Sequence, residues 1–355
     1  KNMTIGNLNL GTRLIQAPMA EVTDSSFRSI ARSFGVGLSF TQMVSAKGIL
    51  NNDFTSLRYL SFSRDEKPIG VQILGNDPHI IGEAVREIAK LKPDVIDLNC
   101  GCPVDKVTSK KMGSALLEFP DLIGKITRKM VDNSGGIPIS VKVRLGVDKK
   151  NINVLKNAKI IEENGASIIV VHARTMTDRY DVDADWNWIS EVKNNVSMKV
   201  IGNGSIFTPQ DGIEMLKQTN CDGVMVARAS IGNPFIFSRF NSLLATGEDP
   251  GLPSVDIVNS TLMTHLKLLW REYDEIKALD RSKKYVIWYY QFYNGINELI
   301  KRIFSAKNYE RLIEIVEKHH EDLINHRYLE DTTNYNDLFK KRVVFWQDNI
   351  NSDVA

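Results

Sequence analysis

Residues 139–174 read ISVKVRLGVDKKNINVLKNAKIIEENGASIIVVHAR. Short apolar, β-branched runs lie towards both ends of this stretch, at Ile139–Val143 and Ser167–Val171. Between them, Val154–Asn164 has the apolar spacing of an amphipathic helix. A strand, a helix and a second strand in this order predict a βαβ unit, in which the two strands run parallel.

The same alternation recurs over roughly the first 230 residues. Eight apolar runs start between 24 and 44 residues apart: Leu14–Ala17, Leu38–Gln42, Ile69–Leu74, Val95–Leu98, Ile139–Val143, Ser167–Val171, Lys199–Ile201 and Gly223–Val226. Helix-like patterns lie between them, among them His79–Leu91, Asp121–Val131 and Pro209–Lys217. Eight strands alternating with helices predict an α/β fold, a parallel (β/α)8 TIM barrel. A doubly wound open sheet is the competing architecture, but the usual glycine-rich fingerprint is missing after the first strand.

The pattern changes at residues 245–254, which read ATGEDPGLPS and have the composition of a linker. After this point strand patterns stop. Four segments have helical periodicity: Val255–Tyr273, Arg281–Ile303, Tyr309–Leu323 and Tyr335–Trp346. We therefore expect a barrel domain over residues 1–244, a linker over 245–254 and a C-terminal helical bundle over 255–355.

The composition is that of a soluble globular protein. Of 355 residues, 43% are hydrophobic and 25% charged, which excludes a disordered or collagen-like chain. No apolar run approaches the roughly 20 residues of a membrane span, and Lys1–Thr4 lead into a strand-like pattern without a signal-peptide core. Three cysteines are too few for a disulfide scaffold, so we expect a cytoplasmic protein with reduced thiols. The net charge of +2 does not by itself indicate a nucleic-acid partner.

Polar residues fall repeatedly at the carboxyl ends of the predicted strands, where the active sites of TIM barrels lie. In chain order they are Pro18–Ala20, Gln72, Asn99–Pro103, Lys142, Arg144, His172, Arg174, Asn203–Gly204 and Arg228. Lys142 and Arg144 are two residues apart, so both point to the same side of their strand. A charged group inside a barrel is costly unless it is paired or meets a ligand. This convergence predicts an active site.

The turns after the last two strands, Gly202–Ser205 and Ala227–Ser230, consist mostly of small residues. Small residues let backbone N–H groups approach an anion, and the following helix N-termini favour negative charge. A phosphate site and two ordinary tight turns are both compatible with this pattern.

Five motifs together resemble the tRNA-dihydrouridine synthases, most nearly the bacterial B-type branch. They are A-P-M-A-x-V-T-D (17–24), D-L-N-C-G-C-P (97–103), K-V-R (142–144), H-A-R-T (172–175) and G-N-G (202–204). The element N-x-G-C-P is specific in a barrel of this layout, whereas G-N-G alone is weak. The resemblance covers nearly the whole chain, and Lys284–Tyr289 is similar to the family's RNA-facing domain.

The resemblance implies an enzyme that uses FMN, reduced by NADPH, to reduce the C5=C6 bond of uridines in tRNA. Cys102 matches the family's proton donor; a thiol with a pKa near 8.5 is protonated at neutral pH yet acidic enough to donate. A buried structural cysteine is the alternative. Cys100 is interpreted as a packing residue, and no metal is expected, because zinc normally takes four ligands.

The resemblance also assigns the remaining site residues. FMN contacts fall on Pro18, Met19, Ala20, Gln72, Lys142, His172, Asn203, Gly204, Ser205, Ala227 and Arg228. Substrate contacts fall on Asn99, Arg144 and Lys284. An interior ion pair and a Schiff-base lysine stay open for Lys142, and a core role stays open for His172.

Four positions depart from the family pattern. Glu21 and Val182 stand where glycine is usual, Ser205 replaces an aspartate, and Ala227 replaces another glycine. The Cβ at Ala227 limits how closely a phosphate can approach the backbone. Neither Cys102 nor Lys142 is affected.

Two other functions stay open. An FMN barrel acting on free pyrimidines, like a dihydroorotate dehydrogenase, has no need of the C-terminal helices. An RNA-binding protein without catalysis has no need of Cys102. For a tRNA-modifying enzyme, the stacked uridine must be flipped into the barrel mouth, and a single chain suffices, so we expect a monomer. Lysines near the predicted rim are candidates for phosphate contact, although a solvated surface is the favoured interpretation of each cluster taken singly: Lys106, Lys110, Lys111, Lys149 and Lys150.

Overall fold

A computed structural model describes residues 2–327 of the chain. Its strands are β1 (Thr4–Ile5), β2 (Leu8–Asn9), β3 (Leu14–Gln16), β4 (Ser39–Phe40), β5 (Val44–Ser45), β6 (Ile69–Leu74), β7 (Val95–Cys100), β8 (Ile139–Arg144), β9 (Ile168–His172), β10 (Lys199–Asn203) and β11 (Gly223–Val226). Its helices are α1 (Ser25–Ser33), α2 (Ala46–Leu50), α3 (Phe54–Leu60), α4 (Pro78–Lys90), α5 (Asp105–Thr108), α6 (Pro120–Asn133), α7 (Val154–Glu163), α8 (Asn187–Asn195), α9 (Pro209–Thr219), α10 (Phe235–Thr246), α11 (Val255–Glu272), α12 (Glu275–Tyr289), α13 (Ile296–Ile303) and α14 (Tyr309–Ile324).

The main sheet closes on itself as a parallel barrel. Its strand order is β3-β11-β10-β9-β8-β7-β6-β4, and β5 continues the β4 position against β6. Closure between β3 and β4 rests on a parallel bridge from Ile15 to Leu38 and a 2.9 Å bond from the Gln16 N–H to the Leu38 carbonyl. The predicted (β/α)8 barrel is therefore confirmed, and the open sheet is excluded.

The alternation of side chains along each strand divides the barrel's apolar residues into two cores. Val141, Val143 and Val171 belong to the layer between the sheet and its helices. Ile168 and Ile201 belong to a separate cluster that also contains Ile5 of β1, together with Met3 and Leu10, which flank the antiparallel pair β1–β2. These apolar side chains fill the barrel interior near the start of the strands, which leaves the carboxyl ends for polar groups.

Two predicted elements differ from the observed ones by more than their end residues. The predicted strand Leu38–Gln42 covers β4 alone; the separate strand β5 begins after it, at Val44, and both strands pair with β6. The predicted helix Arg281–Ile303 is two helices: α12 begins earlier, capped by Asp274, whose side chain accepts from the Lys277 N–H, and the chain is interrupted before α13 at Gly295. α12 ends at Tyr289, and α13 begins after Gly295, which has φ +78, a left-handed conformation that glycine adopts without strain. The apolar spacing of the sequence continues across residues 290–295, so it does not reveal the break between α12 and α13.

The C-terminal helices surround their own apolar cluster, which includes Leu262, Leu266 and Leu299. Phe27 of α1 and Phe235 of α10 join it from the barrel side. The predicted linker lies between α10 and α11, although the division into domains at this point stays a prediction. The predicted helix Tyr335–Trp346, and with it the end of the predicted 255–355 bundle, lies outside the described residues. Within residues 2–327, no helix combines the length and apolarity that crossing a membrane requires.

Gly232 lies where the barrel and α12 meet, and its replacement tests this contact. It has φ +64, and a Cβ there would lie 2.3 Å from the backbone carbonyl carbon of Trp288. We expect Gly232→Ala to lower the free energy of unfolding by about 2–4 kcal/mol, from backbone strain and overpacking together. Gly251→Ala is the matched control, because Gly251 has φ +79 with nothing within 4 Å of the added Cβ. Urea unfolding measures both, and equal losses would contradict the close contact.

Candidate active site

Strand register brings most of the predicted site residues into one ring. Gln72 is paired with Asp97, and Asn99 is paired with Lys142 on the next strand. Farther round the barrel, His172 is opposite both Arg144 and Asn203. All of these residues lie at or near the carboxyl ends of their strands, so their side chains meet at the carboxyl end of the barrel.

A chain of side-chain amides shapes the loop that carries Cys102. Asn99 Nδ2 donates to Gln72 Oε1 at 2.9 Å, and Gln72 Nε2 donates to Asp97 Oδ2 at 2.8 Å. Asn99 Oδ1 accepts from the backbone N–H groups of Gly101 at 3.0 Å and Cys102 at 2.9 Å. Asn99 therefore links the strand β7 to the conformation of the loop after it.

Cys102 is half-buried at this rim and forms no disulfide. Its carbonyl accepts two bonds from Ser114, one from the N–H and one from the hydroxyl, both at 2.9 Å. Burial raises the pKa of the Cys102 thiol, while the Val104 backbone N–H and the Arg144 and Lys142 charges oppose that shift. The thiol is therefore protonated at neutral pH, and its conjugate thiolate would lie next to two cations.

Cys100, by contrast, is completely buried in the layer between sheet and helices. Burial raises the pKa of this thiol well above its ordinary value. The predicted packing role is confirmed. In the part of the chain that the structure describes, no three His, Cys, Asp or Glu side chains lie close enough to hold a metal ion.

Lys142 points into the ring from β8. Burial, followed by the Arg144 charge, lowers the pKa of Lys142 to about 8, against opposing effects of Asp97 and Cys102. Lys142 is half-buried, and within residues 2–327 its ammonium makes no hydrogen bond or ion pair, so the interior ion pair that the sequence left open is not formed there. A desolvated cation without a partner is costly, which is the signature of a group placed for a ligand.

Arg144 is buried and its guanidinium is directed to protein carbonyls. Its Nε donates to the Gly101 carbonyl at 2.8 Å and its Nη1 donates to the Thr175 carbonyl at 2.7 Å. These bonds tie the Cys102 loop to the loop after β9. Arg144 thus supports both loops, and the substrate contact that the sequence predicts for it stays a prediction.

His172 is neutral, because burial and the surrounding arginine and lysine charges lower its pKa well below the ordinary value. Its Nε2 lies 3.0 Å from Arg174 Nη1. Arginine can only donate, so Nε2 accepts and the ring proton is on Nδ1. Tyr180 stacks near the His172 ring, with centroids 6.1 Å apart.

Tyr180 is the site residue whose position the sequence did not indicate, since it follows no strand end. Its ring lies between the Arg144 and Arg228 guanidinium carbons, 5.4 and 5.1 Å from its centroid. Its carbonyl accepts from Arg174 and Arg228. Asp97 was also missed, although its position two residues before Asn99 places both on the same face of β7. Burial raises the pKa of Asp97 to about 6.

The turn after β10 contains two residues with positive φ, Gly204 at +116 and Ser205 at +53. The Ser205 hydroxyl accepts from Arg174 Nη2 and the Ala184 N–H, both at 3.0 Å. Asn203 Nδ2 donates to the Met225 carbonyl at 2.8 Å. Beside this turn, the buried Nη1 of Arg228 has no partner among residues 2–327.

The other predicted contacts lie at the edge of the ring. Pro18, Met19 and Ala20 are half-buried in the loop after β3, and Ala227 is half-buried after β11. Lys284 is exposed on α12, where it pairs with Asp280 at 3.0 Å. The five lysines expected near the rim are all exposed: Lys106, Lys110, Lys111, Lys149 and Lys150.

A closed parallel barrel with a ring of ionisable and amide groups at the carboxyl ends of its strands defines a TIM-barrel enzyme. A comparison with protein families identifies the particular one: residues 15–333 match the model of the dihydrouridine synthase family. The chain belongs to this family, and the predicted family is confirmed.

Curated relatives agree over most of the chain. tRNA-dihydrouridine synthase B of Pseudomonas aeruginosa is 36% identical over 294 residues, which cover 83% of this chain and 88% of that protein. A probable tRNA-dihydrouridine synthase 1 of Synechocystis sp. is 33% identical over 309 residues, covering 87% of this chain and 86% of that protein.

Solved structures show the same fold at low identity. Histamine dehydrogenase from Rhizobium sp. 4-9 aligns with a TM-score of 0.55 and 14% identity, over 76% of this chain and 50% of that one. An old yellow enzyme homologue from Zymomonas mobilis aligns with a TM-score of 0.50 and 12% identity, over 68% of this chain and 92% of that one. These likenesses support the barrel architecture.

Proposed function

We propose that the protein is a tRNA-dihydrouridine synthase that binds FMN, uses NADPH as reductant and reduces the C5=C6 bond of uridines in tRNA. Membership of the family and the names of its relatives support the reaction and the RNA substrate. The observation that carries the proposal is the connection between Cys102 and Lys142. Asn99 is opposite Lys142 in the sheet and binds the Cys102 N–H, so an acid and a cation are held at one rim.

The residues of the ring fit an anionic, planar cofactor. The buried Nη1 of Arg228 has no partner within the described part of the chain, and burial lowers the pKa of both Lys142 and Arg228. The turn at Gly204 and Ser205 suits a phosphate. FMN would be held by Pro18, Met19, Ala20, Gln72, Lys142, His172, Asn203, Gly204, Ser205, Ala227 and Arg228.

When bound, FMN supplies the hydride that reaches C6 of the uracil, with electrons that come from NADPH. Cys102 holds the proton at Sγ and donates it to C5. The thiolate that results would be stabilised by the charges of Arg144 and Lys142, which oppose the rise that burial causes in the thiol pKa. Lys142 would place a fixed cation beside the bound cofactor, where it would favour negative charge. Asn99 and Arg144 position the Cys102 loop, and Asn99 also offers its side-chain amide to the uracil.

The tRNA would lie across the barrel mouth and the C-terminal helices. Its uridine must leave the base stack to reach Cys102, and phosphates would be bound by the exposed rim lysines and by Lys284. We further propose that the C-terminal helical part is the tRNA-binding domain and that the protein acts as a cytoplasmic monomer.

A comparison of tRNA with free uridine as substrate distinguishes the proposed tRNA-modifying enzyme from an enzyme that acts on free pyrimidines. We expect the purified protein to be yellow after loading with FMN and to consume NADPH faster with unmodified tRNA than with free uridine, by about 10²-fold, because remote contacts place the base. Stopped-flow absorbance at the flavin and NADPH bands measures this. Faster turnover of free pyrimidines would favour the dihydroorotate dehydrogenase-like alternative, and failure to bind FMN would refute both.

A further inference from the structure

A network of charged groups joins the loop after β3 to α12. Arg281 on α12 is only 6% exposed. Its Nη2 donates to Glu21 Oε2 at 2.5 Å, and its Nη1 donates to the Glu21 carbonyl at 2.7 Å. The Tyr59 hydroxyl donates to the second carboxylate oxygen of Glu21. Arg281 therefore binds the barrel loop through both main chain and side chain of one residue.

The backbone at Glu21 gives its carboxylate a defined direction. Glu21 has φ +57, in the left-handed region where glycine is favoured and a side chain is strained. Its N–H donates to Gln42 Oε1 at 2.6 Å. A strained residue persists where its surroundings hold it, and here the side chain supplies contacts that glycine lacks.

Asp24 and two tyrosines extend the network. Arg281 Nη1 lies 3.3 Å from Asp24 Oδ2, which also accepts from the Tyr273 hydroxyl at 2.9 Å. The Arg281 guanidinium lies 4.5 Å from the centroid of the Tyr273 ring. The Tyr285 hydroxyl donates to the Val22 carbonyl at 3.2 Å. Residues 21–24 are thus held by α12 and by the turn that precedes it.

The network connects two parts of the molecule with separate proposed roles. Glu21 directly follows Pro18–Ala20, which would contact FMN. Lys284, which would contact tRNA, lies three residues after Arg281 on α12 and is exposed. The Glu21–Arg281 pair therefore bridges the loop that would contact FMN and the helix that would contact tRNA.

We propose that Glu21 and Arg281 form a positioning pair that sets the orientation of the C-terminal helices over the barrel mouth, so that bound tRNA presents its uridine to Cys102. This inference rests on the proposed function. Neither residue touches the uracil or the reacting atoms in this role. Breaking the pair should lower turnover on tRNA and leave the reaction of the cofactor with NADPH intact, because small errors of placement slow a reaction strongly.

The test uses the full chain loaded with FMN. We expect Glu21→Gln to lower kcat on unmodified tRNA by about 10-fold, with KM changed less than about threefold and NADPH consumption without tRNA within about twofold. Arg281→Lys should act likewise, and the double variant should be no slower than the slower single variant. Glu21→Gly, which relieves the backbone but lacks the carboxylate, should show the same loss.

Asp249→Asn is the matched control. Arg239 binds Asp249 through two bonds, at 2.9 and 2.8 Å, so this variant also loses an ion pair, but one outside the loop after β3. Its turnover on tRNA should stay that of the wild type. An unchanged kcat for Glu21→Gln, a parallel fall in NADPH consumption, or multiplicative losses in the double variant would each overturn the proposal.

Amide hydrogen exchange tests, independently of the proposed reaction, whether Glu21 and Arg281 couple the loop after β3 to α12. Glu21→Gln should speed amide exchange in residues 17–24 and in α12, whereas Asp249→Asn should change neither segment. Unchanged exchange in both segments overturns the positioning role. If the wild-type protein does not act on tRNA, the proposed function fails, and the exchange result still shows whether the pair couples loop and helix.

Discussion

Replacing Cys102 by alanine should lower dihydrouridine formation in tRNA by about 10²–10⁴-fold, the range for loss of a positioned general acid. The loop itself should keep its shape, because Asn99 and Ser114 bind the Cys102 backbone and not its thiol. FMN binding should therefore persist. Mass spectrometry of digested tRNA measures the product, and absorbance measures the bound flavin.

Two variants and a pH series sharpen this result. Cys221→Ala removes another buried thiol, one that donates to the Gly223 carbonyl outside the ring, and should leave the rate nearly unchanged. Cys102→Ser keeps the size of the side chain but is a far weaker acid, so it should be slow. Because burial raises the thiol pKa, the wild-type rate should fall only at a pH above the ordinary cysteine range. A Cys102→Ala rate within about threefold of wild type would remove the thiol from the mechanism.

Lys142→Met should lower the rate on tRNA by about 10²-fold, because a fixed cation that stabilises developing negative charge is lost. Methionine keeps a long side chain in the same space. The same substitution should make the cofactor-free protein more stable. A cation with no hydrogen-bond or ion-pair partner within residues 2–327 is replaced by an apolar group in a desolvated place.

The direction of this second effect follows from the pKa of Lys142. Folding lowers it from 10.5 to about 8, so between these values the unfolded chain binds more protons and stability rises with pH. Below pH 8 the charged lysine costs the folded state up to about 3 kcal/mol. We expect Lys142→Met to raise the free energy of unfolding by about 1–3 kcal/mol at pH 7, and the gain to shrink towards pH 10.

Urea unfolding of the cofactor-free protein at pH 7 and pH 10 measures this gain. Lys125→Met on the exposed side of α6 is the control, and it should change stability little at either pH. A loss of stability in Lys142→Met at pH 7 would mean that the ammonium has a stabilising partner in the folded protein.

Strand periodicity predicted the barrel well because buried parallel strands are short apolar runs with regular spacing. β6 and β11 have the predicted limits, Ile69–Leu74 and Gly223–Val226. The prediction of one helix over Arg281–Ile303 failed because its apolar spacing continues across the break before α13, and spacing alone does not register a left-handed residue such as Gly295. The motif D-L-N-C-G-C-P placed Cys102 and Asn99 correctly at the rim, since the position after a barrel strand is set locally.

The sequence by itself determined the order of strands and helices, the family and the side of β8 to which Lys142 and Arg144 point, because these depend on neighbours along the chain. Only the tertiary structure decided what each group does there. Arg144 donates to the Gly101 and Thr175 carbonyls. Lys142 makes no such bonds among the described residues, and burial lowers its pKa. Glu21 pairs with Arg281, which is 260 residues away in the sequence. Burial and charge depend on groups that are distant in the sequence and become neighbours only when the barrel closes and the helices pack on it.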